Sequence, residues 1–186
     1  MEASAIFAGF GGQGILFAGQ VAAQAAMLEG REVLWIPSYG PEMRGGTASC
    51  TVIVADEEIG SPVVDRADGA VVMNPPSLAK FAPLVRPGGV LVVNETLIEA
   101  SSGREDLTEL RIACGALARA AGDEALASIV ALGALVGALG IVSPEATRSA
   151  LRHLVGKRPE LLDLELRAFD EGLAAAGSPV GVVTRS

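Results

Sequence analysis

Four glycines are concentrated near the amino terminus, in the stretch GFGGQGI that runs from Gly9 to Ile15. Gly9, Gly11 and Gly14 match the spacing G-x-G-x-x-G at a point where a predicted strand passes into a predicted helix. Backbone amides at the start of a helix can bind a phosphate, and glycine lets the backbone approach it closely. The same pattern also serves as a packing turn without a ligand, so the motif alone leaves both functions open.

The residues around this loop argue against the common nucleotide-binding chemistries. A dinucleotide-binding fold places an acidic residue at the end of its second strand, but here that strand ends in Ile36–Ser38. Ile15 and Leu16 occupy the positions where a P-loop requires Lys and Ser or Thr. NAD and nucleoside triphosphates are therefore disfavoured. The stretch LVRPGGVLVV is similar to a late strand of methyltransferases. A stand-alone nucleotide- or S-adenosylmethionine-binding enzyme is therefore the alternative, although such an enzyme would also need an acidic residue at the end of the second strand.

A second glycine-rich stretch, SYGPEMRGGTASC, follows the second predicted strand and contains Glu42, Arg44, Gly45 and Gly46. Open α/β sheets bind ligands beyond the carboxyl ends of their strands. A guanidinium there can bind a phosphate through two hydrogen bonds. A plain surface loop with an internal Glu42–Arg44 pair is the alternative, and such a pair contributes only about 0–1 kcal/mol.

The chain offers few groups that could bind a metal or a polyanion. It has two cysteines, Cys50 and Cys114, and one histidine, His153, which are too few for an iron–sulfur cluster or a structural zinc. We interpret the cysteines as small buried residues and His153 as a surface residue of a helix. The formal net charge of −8 argues against nucleic acid or an anionic membrane as a partner.

Strands and helices alternate along most of the chain. We predict an α/β fold with a Rossmann-like, mostly parallel sheet flanked by helices, a helical C-terminal part, and one domain over residues 1–186. The first strand, helix and second strand have the length of one parallel crossover. Predicted strands cover Ser4–Phe10, Arg31–Pro37, Cys50–Gly60 at or near an edge, Gly69–Asn74, Gly88–Asn94 and Leu110–Gly115. Asn94 ends a strand at the edge where the glycine loop lies, so we expect it to line the same pocket.

One uncharged stretch, Ala125–Val142, is long enough to raise the question of a membrane span. Its many alanines and glycines, including Gly133 and Gly137, favour a buried helix packed closely through small residues. Ser143 and Pro144 then start a new helix as its N-cap and first residue. The amino terminus lacks the features of a signal peptide, so we expect a cytoplasmic protein without a membrane partner.

The sequence closely resembles the gamma subunit of 2-oxoacid:ferredoxin oxidoreductases. The resemblance is carried by GFGGQGILFAGQVAAQAA followed by PSYGPEMRGGTASCTVIVADEEIGSPVV, and MNPPSLAKFAPLVRPGGVLVVN and ALGALVG extend it over most of the chain. YGPEMRGGT is more similar to the 2-oxoglutarate and general 2-oxoacid branch than to the indolepyruvate branch. Ser128 and Ile129 depart from the Asn-Met of most relatives, which bears on the branch and not on the family.

The resemblance implies a role in oxidative decarboxylation, in which a 2-oxoacid and coenzyme A give acyl-CoA, carbon dioxide and reduced ferredoxin. It implies that this chain is inactive alone, has no catalytic residue and holds no cofactor by itself. Thiamine diphosphate, Mg and [4Fe–4S] clusters would belong to alpha, beta or ferredoxin-like delta subunits. The absence of a Gly-Asp-Gly thiamine signature and of a cysteine cluster agrees with this. Exposed apolar surface would also favour a homodimer of the isolated chain.

The resemblance further implies a coenzyme A site at the subunit interface, walled by the two glycine-rich loops. The residues of this chain that we expect to line the coenzyme A site are Gly11, Gly12, Gln13, Gly14, Tyr39, Arg44, Gly45 and Gly46. Arg44 is the leading candidate, either as a phosphate clamp or as the partner of a carboxylate on another subunit. A purely structural assembly subunit that uses the same surface without any small ligand is a third interpretation.

Overall fold

The structure is a computed structural model that describes residues 1–39 and 47–177. The predicted ligand residues Arg44, Gly45 and Gly46 lie outside the described residues, and Tyr39 is described through its backbone. The six strands are β1 (Glu2–Phe10), β2 (Glu32–Tyr39), β3 (Thr47–Ala55), β4 (Ala67–Val72), β5 (Val85–Asn94) and β6 (Thr108–Ile112). The α-helices are α1 (Ile15–Leu28), α2 (Pro75–Phe81), α3 (Cys114–Ala121), α4 (Ala127–Leu139), α5 (Pro144–Val155) and α6 (Pro159–Ala175).

The strands form one sheet in the order β2-β3-β1-β4-β5-β6. β1 pairs in parallel with β4, β4 with β5, and β5 with β6, as expected for an α/β fold. β3 is antiparallel to both of its neighbours, β1 and β2, so the sheet is mixed. β1 and β2 run in the same direction, as the predicted crossover requires, but they are not neighbours because β3 lies between them. Only residues 40–46 connect β2 to β3, and such short connections join antiparallel strands.

The sheet is covered on both faces. One face carries α2, and its core contains Ile6 and Ala8 of β1 together with Leu78 and Phe81 of the helix. The other face packs on α1 and α4 in a larger core that continues into α3, α5 and α6 and includes Phe7 of β1. Ile6 and Phe7 point to opposite faces because side chains alternate along a strand. This alternation is why the mostly apolar β1 can be buried on both sides.

The apolar stretch around α4 is a buried helix, as predicted. A Cβ atom on Gly133 would overlap the carbonyl oxygen of Phe169, and one on Gly172 would overlap the carbonyl oxygen of Val130, so α4 and α6 are in backbone contact. Within the described residues, no helix is both long and apolar enough to cross a membrane. The predicted N-cap of α5 is also confirmed, since the Ser143 hydroxyl accepts a hydrogen bond from the backbone N–H of Ala146 at 3.1 Å.

Candidate functional site

A cleft opens at the carboxyl edge of the sheet, where β1, β4, β5 and β6 all end because they are parallel. Its volume is about 230 Å³. The lining residues come from the loops that follow these strands and from the chain entering α4: Gly12, Gln13, Met73, Asn94, Thr96, Leu97, Gly115, Glu124, Ala125 and Ala127. Three residues predicted from the sequence, Gly12, Gln13 and Asn94, are thus brought together. Gly11 and Gly14 belong to the same loop.

The glycine loop is a tight turn that leads into α1. The backbone N–H of Gln13 donates to the carbonyl of Phe10 at 3.1 Å, which closes the turn. Gly12 and Gly14 have φ angles of 92° and 74°, in the left-handed region that favours glycine. A Cβ atom on Gly12 would meet no atom of the described residues within 4 Å, and Gly12 is exposed within that part of the chain. The loop therefore combines a conformation that requires glycine with an accessible backbone.

Gly9 has a different role, at the base of the loop. A Cβ atom there would lie 2.6 Å from Oε1 of Gln13 and 2.8 Å from Cγ1 of Ile15. The first glycine of the motif is thus required for packing, while Gly12 and Gly14 are required for the path of the chain. The packing interpretation thus applies to Gly9, and phosphate binding at Gly12 and Gly14 stays a prediction.

The start of α1 directly follows the lining residues Gly12 and Gln13. Gly14 is the N-cap residue, and no side chain accepts a hydrogen bond from the first turn within the described residues. Among the described residues, the first turn has no acidic residue and no side-chain cap, so the positive end of the helix dipole is not offset locally by a carboxylate. This feature is what the predicted phosphate site requires.

Polar side chains connect the loops along this edge of the sheet. Oε1 of Gln13 accepts hydrogen bonds from the N–H of Phe10 at 2.6 Å and from Nδ2 of Asn74 at 3.3 Å. Nδ2 of Asn94 donates to the carbonyl of Met73 at 3.4 Å. The Phe10 contact is local to the glycine loop, whereas the other two join neighbouring strand ends, β1 to β4 through Asn74 and β4 to β5 through Asn94.

The connection continues to β6. Oδ1 of Asn94 accepts a hydrogen bond from the N–H of Thr96 at 3.3 Å. The Thr96 hydroxyl in turn accepts one from the N–H of Gly115 at 3.0 Å, at the start of α3. A Cβ atom on Gly115 would lie 2.9 Å from Cγ2 of Thr96, so only glycine fits this contact. The carboxyl ends of four strands are therefore held by one hydrogen-bonded series.

Tyr39 ends β2 at the same edge of the sheet. In the register of the strands it lies opposite Ala48, which lies opposite Gly9 of β1. Two strand spacings, about 10 Å, separate its backbone from the glycine loop. Thr47, the first described residue after the undescribed segment, pairs with Phe10. The two described residues that flank residues 40–46 in the sequence thus lie at this edge of the sheet, Thr47 opposite Phe10 and Tyr39 one strand further out.

The described part of the cleft carries little positive charge. None of its described lining residues is Lys or Arg, and Glu124 at the rim forms an exposed ion pair with Arg119 at 2.9 Å. Burial raises the pKa of the Cys114 thiol, at the start of α3, to about 12, and does the same for Cys50. Neither thiol can serve as a thiolate nucleophile at neutral pH. Recognition of an anion would depend on backbone amides and on a cation from elsewhere.

Metal binding finds no support in the described residues, where no group of three or more His, Cys, Asp or Glu side chains could hold an ion. His153 is an exposed residue of α5, as predicted, and lies on a different element from the cleft.

Several residues of the cleft were missed by sequence reasoning: Met73, Thr96, Leu97, Gly115, Glu124, Ala125 and Ala127. Asn74, behind the lining, was missed as well. The sequence does contain a pattern that indicates its role, because Asn followed by Pro-Pro is typical of a helix N-cap. In the structure, Oδ1 of Asn74 accepts a hydrogen bond from the N–H of Ser77 at 2.9 Å. Leu97 and Phe10 are exposed apolar residues on or beside the rim, with 51% and 36% of their surface accessible.

Comparison with known proteins places this architecture in a family. A family model described as pyruvate ferredoxin/flavodoxin oxidoreductase matches residues 4–175. Subunit VorA of the ketoisovalerate oxidoreductase of Methanothermobacter marburgensis is 41% identical over 167 residues, which cover 89% of this chain and 34% of that protein. The chain thus spans about a third of the length of that relative.

Two solved structures show the same fold. The gamma subunit of a keto/oxoacid ferredoxin oxidoreductase from Geobacter sulfurreducens is 31% identical, with a TM-score of 0.82 over 94% of this chain and 98% of that one. The 2-oxoglutarate:ferredoxin oxidoreductase of Magnetococcus marinus, with 2-oxoglutarate, coenzyme A and succinyl-CoA bound, is 26% identical, with a TM-score of 0.86 over 94% of this chain and 31% of that one. The chain belongs to the pyruvate ferredoxin/flavodoxin oxidoreductase family.

Proposed function

We propose that this chain is the gamma subunit of a 2-oxoacid:ferredoxin oxidoreductase and forms one wall of the coenzyme A site of that complex. The observation that carries the proposal is the cleft at the carboxyl edge of the sheet, where Gly12, Gln13 and Asn94 meet beside the uncapped start of α1. The bare backbone at Gly12 and the free first turn fit a phosphate group of coenzyme A. A related oxidoreductase contains coenzyme A.

In this proposal the chain binds and orients coenzyme A but performs no chemical step. The described residues hold no activated thiol and no metal-binding cluster, and residues 40–46 would supply the cation of the site through Arg44. Thiamine diphosphate with Mg and the [4Fe–4S] clusters belong to alpha, beta or delta partner subunits, where they carry out decarboxylation and electron transfer to ferredoxin. We assign the complex to the cytoplasm and the chain no activity of its own.

For the substrate we propose 2-oxoglutarate, in line with the likeness of YGPEMRGGT and with the substrate of the Magnetococcus enzyme. The similarity to a ketoisovalerate oxidoreductase subunit makes a branched-chain 2-oxoacid the second candidate. Rates of ferredoxin reduction with 2-oxoglutarate, ketoisovalerate and pyruvate distinguish them. A kcat/KM highest for 2-oxoglutarate supports the first assignment, and one highest for another acid replaces it.

The test of the proposal is purification of the tagged chain from its own host without oxygen, followed by kinetics of the recovered complex. We expect iron–sulfur absorbance, thiamine-binding partners and coenzyme A-dependent reduction of ferredoxin. A colourless chain without partners would contradict the proposal. In the complex, Arg44→Ala should raise the KM for coenzyme A at least about thirtyfold if Arg44 clamps a buried phosphate. An unchanged KM with weaker assembly would assign Arg44 to the subunit interface.

A further inference from the structure

The amide of Gln13 has a fixed orientation in the cleft. Its Oε1 accepts two hydrogen bonds, from the N–H of Phe10 at 2.6 Å and from Nδ2 of Asn74 at 3.3 Å. If the amide were reversed, Nε2 would face two hydrogen-bond donors and no acceptor. The oxygen end of Gln13 is therefore committed to the protein. Its Nε2 group has no partner among the described residues, so it can serve a ligand in the cleft that Gln13 lines.

Asn74 is built to enforce this orientation. Its side chain is completely buried, at 0% exposure, so its polar atoms must find partners inside the protein. Oδ1 accepts from the N–H of Ser77 as the N-cap of α2, at 2.9 Å. Because the oxygen is held by the helix, the other end of the amide, Nδ2, is directed to Gln13 as a donor.

We propose that Asn74 is a positioning residue that makes Gln13 a neutral hydrogen-bond donor to the ligand. The inference rests on the proposed role of the cleft in binding coenzyme A. It adds that Gln13 recognises a hydrogen-bond acceptor of that ligand. The ligand atom opposite Gln13 must be an acceptor, such as a phosphate or carbonyl oxygen. A neutral donor suits this site because it serves an anionic acceptor without burying another charge beside the loop.

Substitutions of Asn74 separate its two hydrogen bonds. Asn74→Asp and Asn74→Ser both keep an oxygen that can cap α2, but both remove the Nδ2 donor to Gln13. In the assembled complex we expect either change to raise the KM for coenzyme A about tenfold, with kcat at saturating coenzyme A within about twofold. Ser77→Ala is the matched control, because it lies in the same first turn, its buried Oγ has no partner among the described residues, and it makes no contact with Gln13 through that oxygen. Its KM should equal that of the unmodified complex.

Gln13→Glu tests the donor directly. The carboxylate can still accept from Phe10 and Asn74, but it offers no donor and repels an anion. At pH 8 the KM for coenzyme A should rise by roughly a hundredfold. The defect should shrink as the pH falls and the new carboxyl becomes protonated, because a neutral acid can donate again. A role of Gln13 in packing alone would give no such pH dependence, since the size of the side chain is unchanged.

Gln13→Ala separates failure of this inference from failure of the proposed function. If Gln13→Ala raises the KM for coenzyme A while both Asn74 variants match the unmodified complex, Asn74 does not position Gln13 and the inference is overturned. If Gln13→Ala, Gln13→Glu and the Asn74 variants all leave the KM unchanged in a normally assembled complex, this cleft does not bind coenzyme A. A thermal unfolding scan of each complex identifies any variant whose defect is a loss of folding.

Discussion

Glycine is used in two opposite ways in this protein, at the cleft and between α4 and α6. In the cleft, a Cβ atom on Gly12 would contact none of the described residues, and its φ of 92° is what requires glycine. Between the helices, Gly133 and Gly172 have no positive φ, and it is the facing backbone that leaves no room for a side chain. The first region keeps its backbone accessible, and the second excludes everything but backbone. Substitutions in the cleft should therefore affect function, with a smaller effect on stability, whereas substitutions between the helices should affect stability.

The largest expected effect is in the helical layer. Gly172→Ala would drive a methyl group into the carbonyl oxygen of Val130, so the two helices must separate. We expect the free energy of unfolding to fall by about 2–3 kcal/mol, after the roughly 1 kcal/mol that alanine gains in a helix. Urea denaturation followed by the fluorescence of Trp35, the one tryptophan, measures it.

Gly137→Ala is the control for this prediction, because its Cβ would lie 3.0 Å from that of Ala176 and needs only a small adjustment. It should destabilise clearly less than Gly172→Ala. Equal stability of both variants would show that the close approach of α4 and α6 is not what holds the layer together.

A second effect in the helical layer depends on pH. Glu165 of α6 is 5% exposed, its Oε2 is buried without a partner among the described residues, and burial raises its pKa to about 7 from 4.5. Between pH 4.5 and 7 the Glu165 carboxyl is therefore protonated more often in the folded state than in the unfolded state. Stability should fall as the pH rises from about 4.5 to 7 and stay level above, by up to about 3 kcal/mol in total.

Glu165→Gln should remove this slope, because glutamine has nearly the same size and never ionises. The variant should match the unmodified chain near pH 4.5 and be more stable at pH 8, as measured by urea denaturation at both values. A stability difference that is the same at both pH values would mean that Glu165 does not titrate in this range.

Two glycines with the same backbone conformation, one inside the cleft and one outside it, separate an effect on function from an effect on stability. Gly12 and Gly30 have φ angles of 92° and 75°, and a Cβ on either would have no atom of residues 1–39 or 47–177 within 4 Å, but only Gly12 lines the cleft. Alanine at either position should cost about 1 kcal/mol of stability through backbone strain. Only Gly12→Ala should also raise the KM for coenzyme A in the complex. A raised KM with Gly30→Ala would attribute the effect to general destabilisation.

The smallest effect is expected at the rim. Glu124 pairs with Arg119 where both are more than half exposed, so Glu124→Gln should change stability by less than about 0.5 kcal/mol. Removing a negative charge beside the cleft should lower the KM for coenzyme A by no more than about twofold, most visibly at low ionic strength. A large change in either quantity would show that Glu124 has a contact with a partner or ligand.

The sequence was informative where a local pattern has one physical meaning. The alternation of strands and helices, the buried α4 and the Ser143 cap were predicted correctly, and so was the meeting of Gly12, Gln13 and Asn94 at one edge. The antiparallel β3 was not predicted, because its partners are set by a short connection and not by the composition of the strand. The orientation of the Gln13 amide depends on Asn74, a residue 61 positions away, and no local pattern encodes such a contact.

Hydrogen exchange of the assembled complex, with and without coenzyme A, measures whether the carboxyl-edge cleft binds coenzyme A. We expect added coenzyme A to slow amide exchange in peptides spanning residues 11–17, where the glycine loop leads into α1, while peptides from α6 stay unchanged. Unaltered exchange around the glycine loop in a complex saturated with coenzyme A would contradict the account.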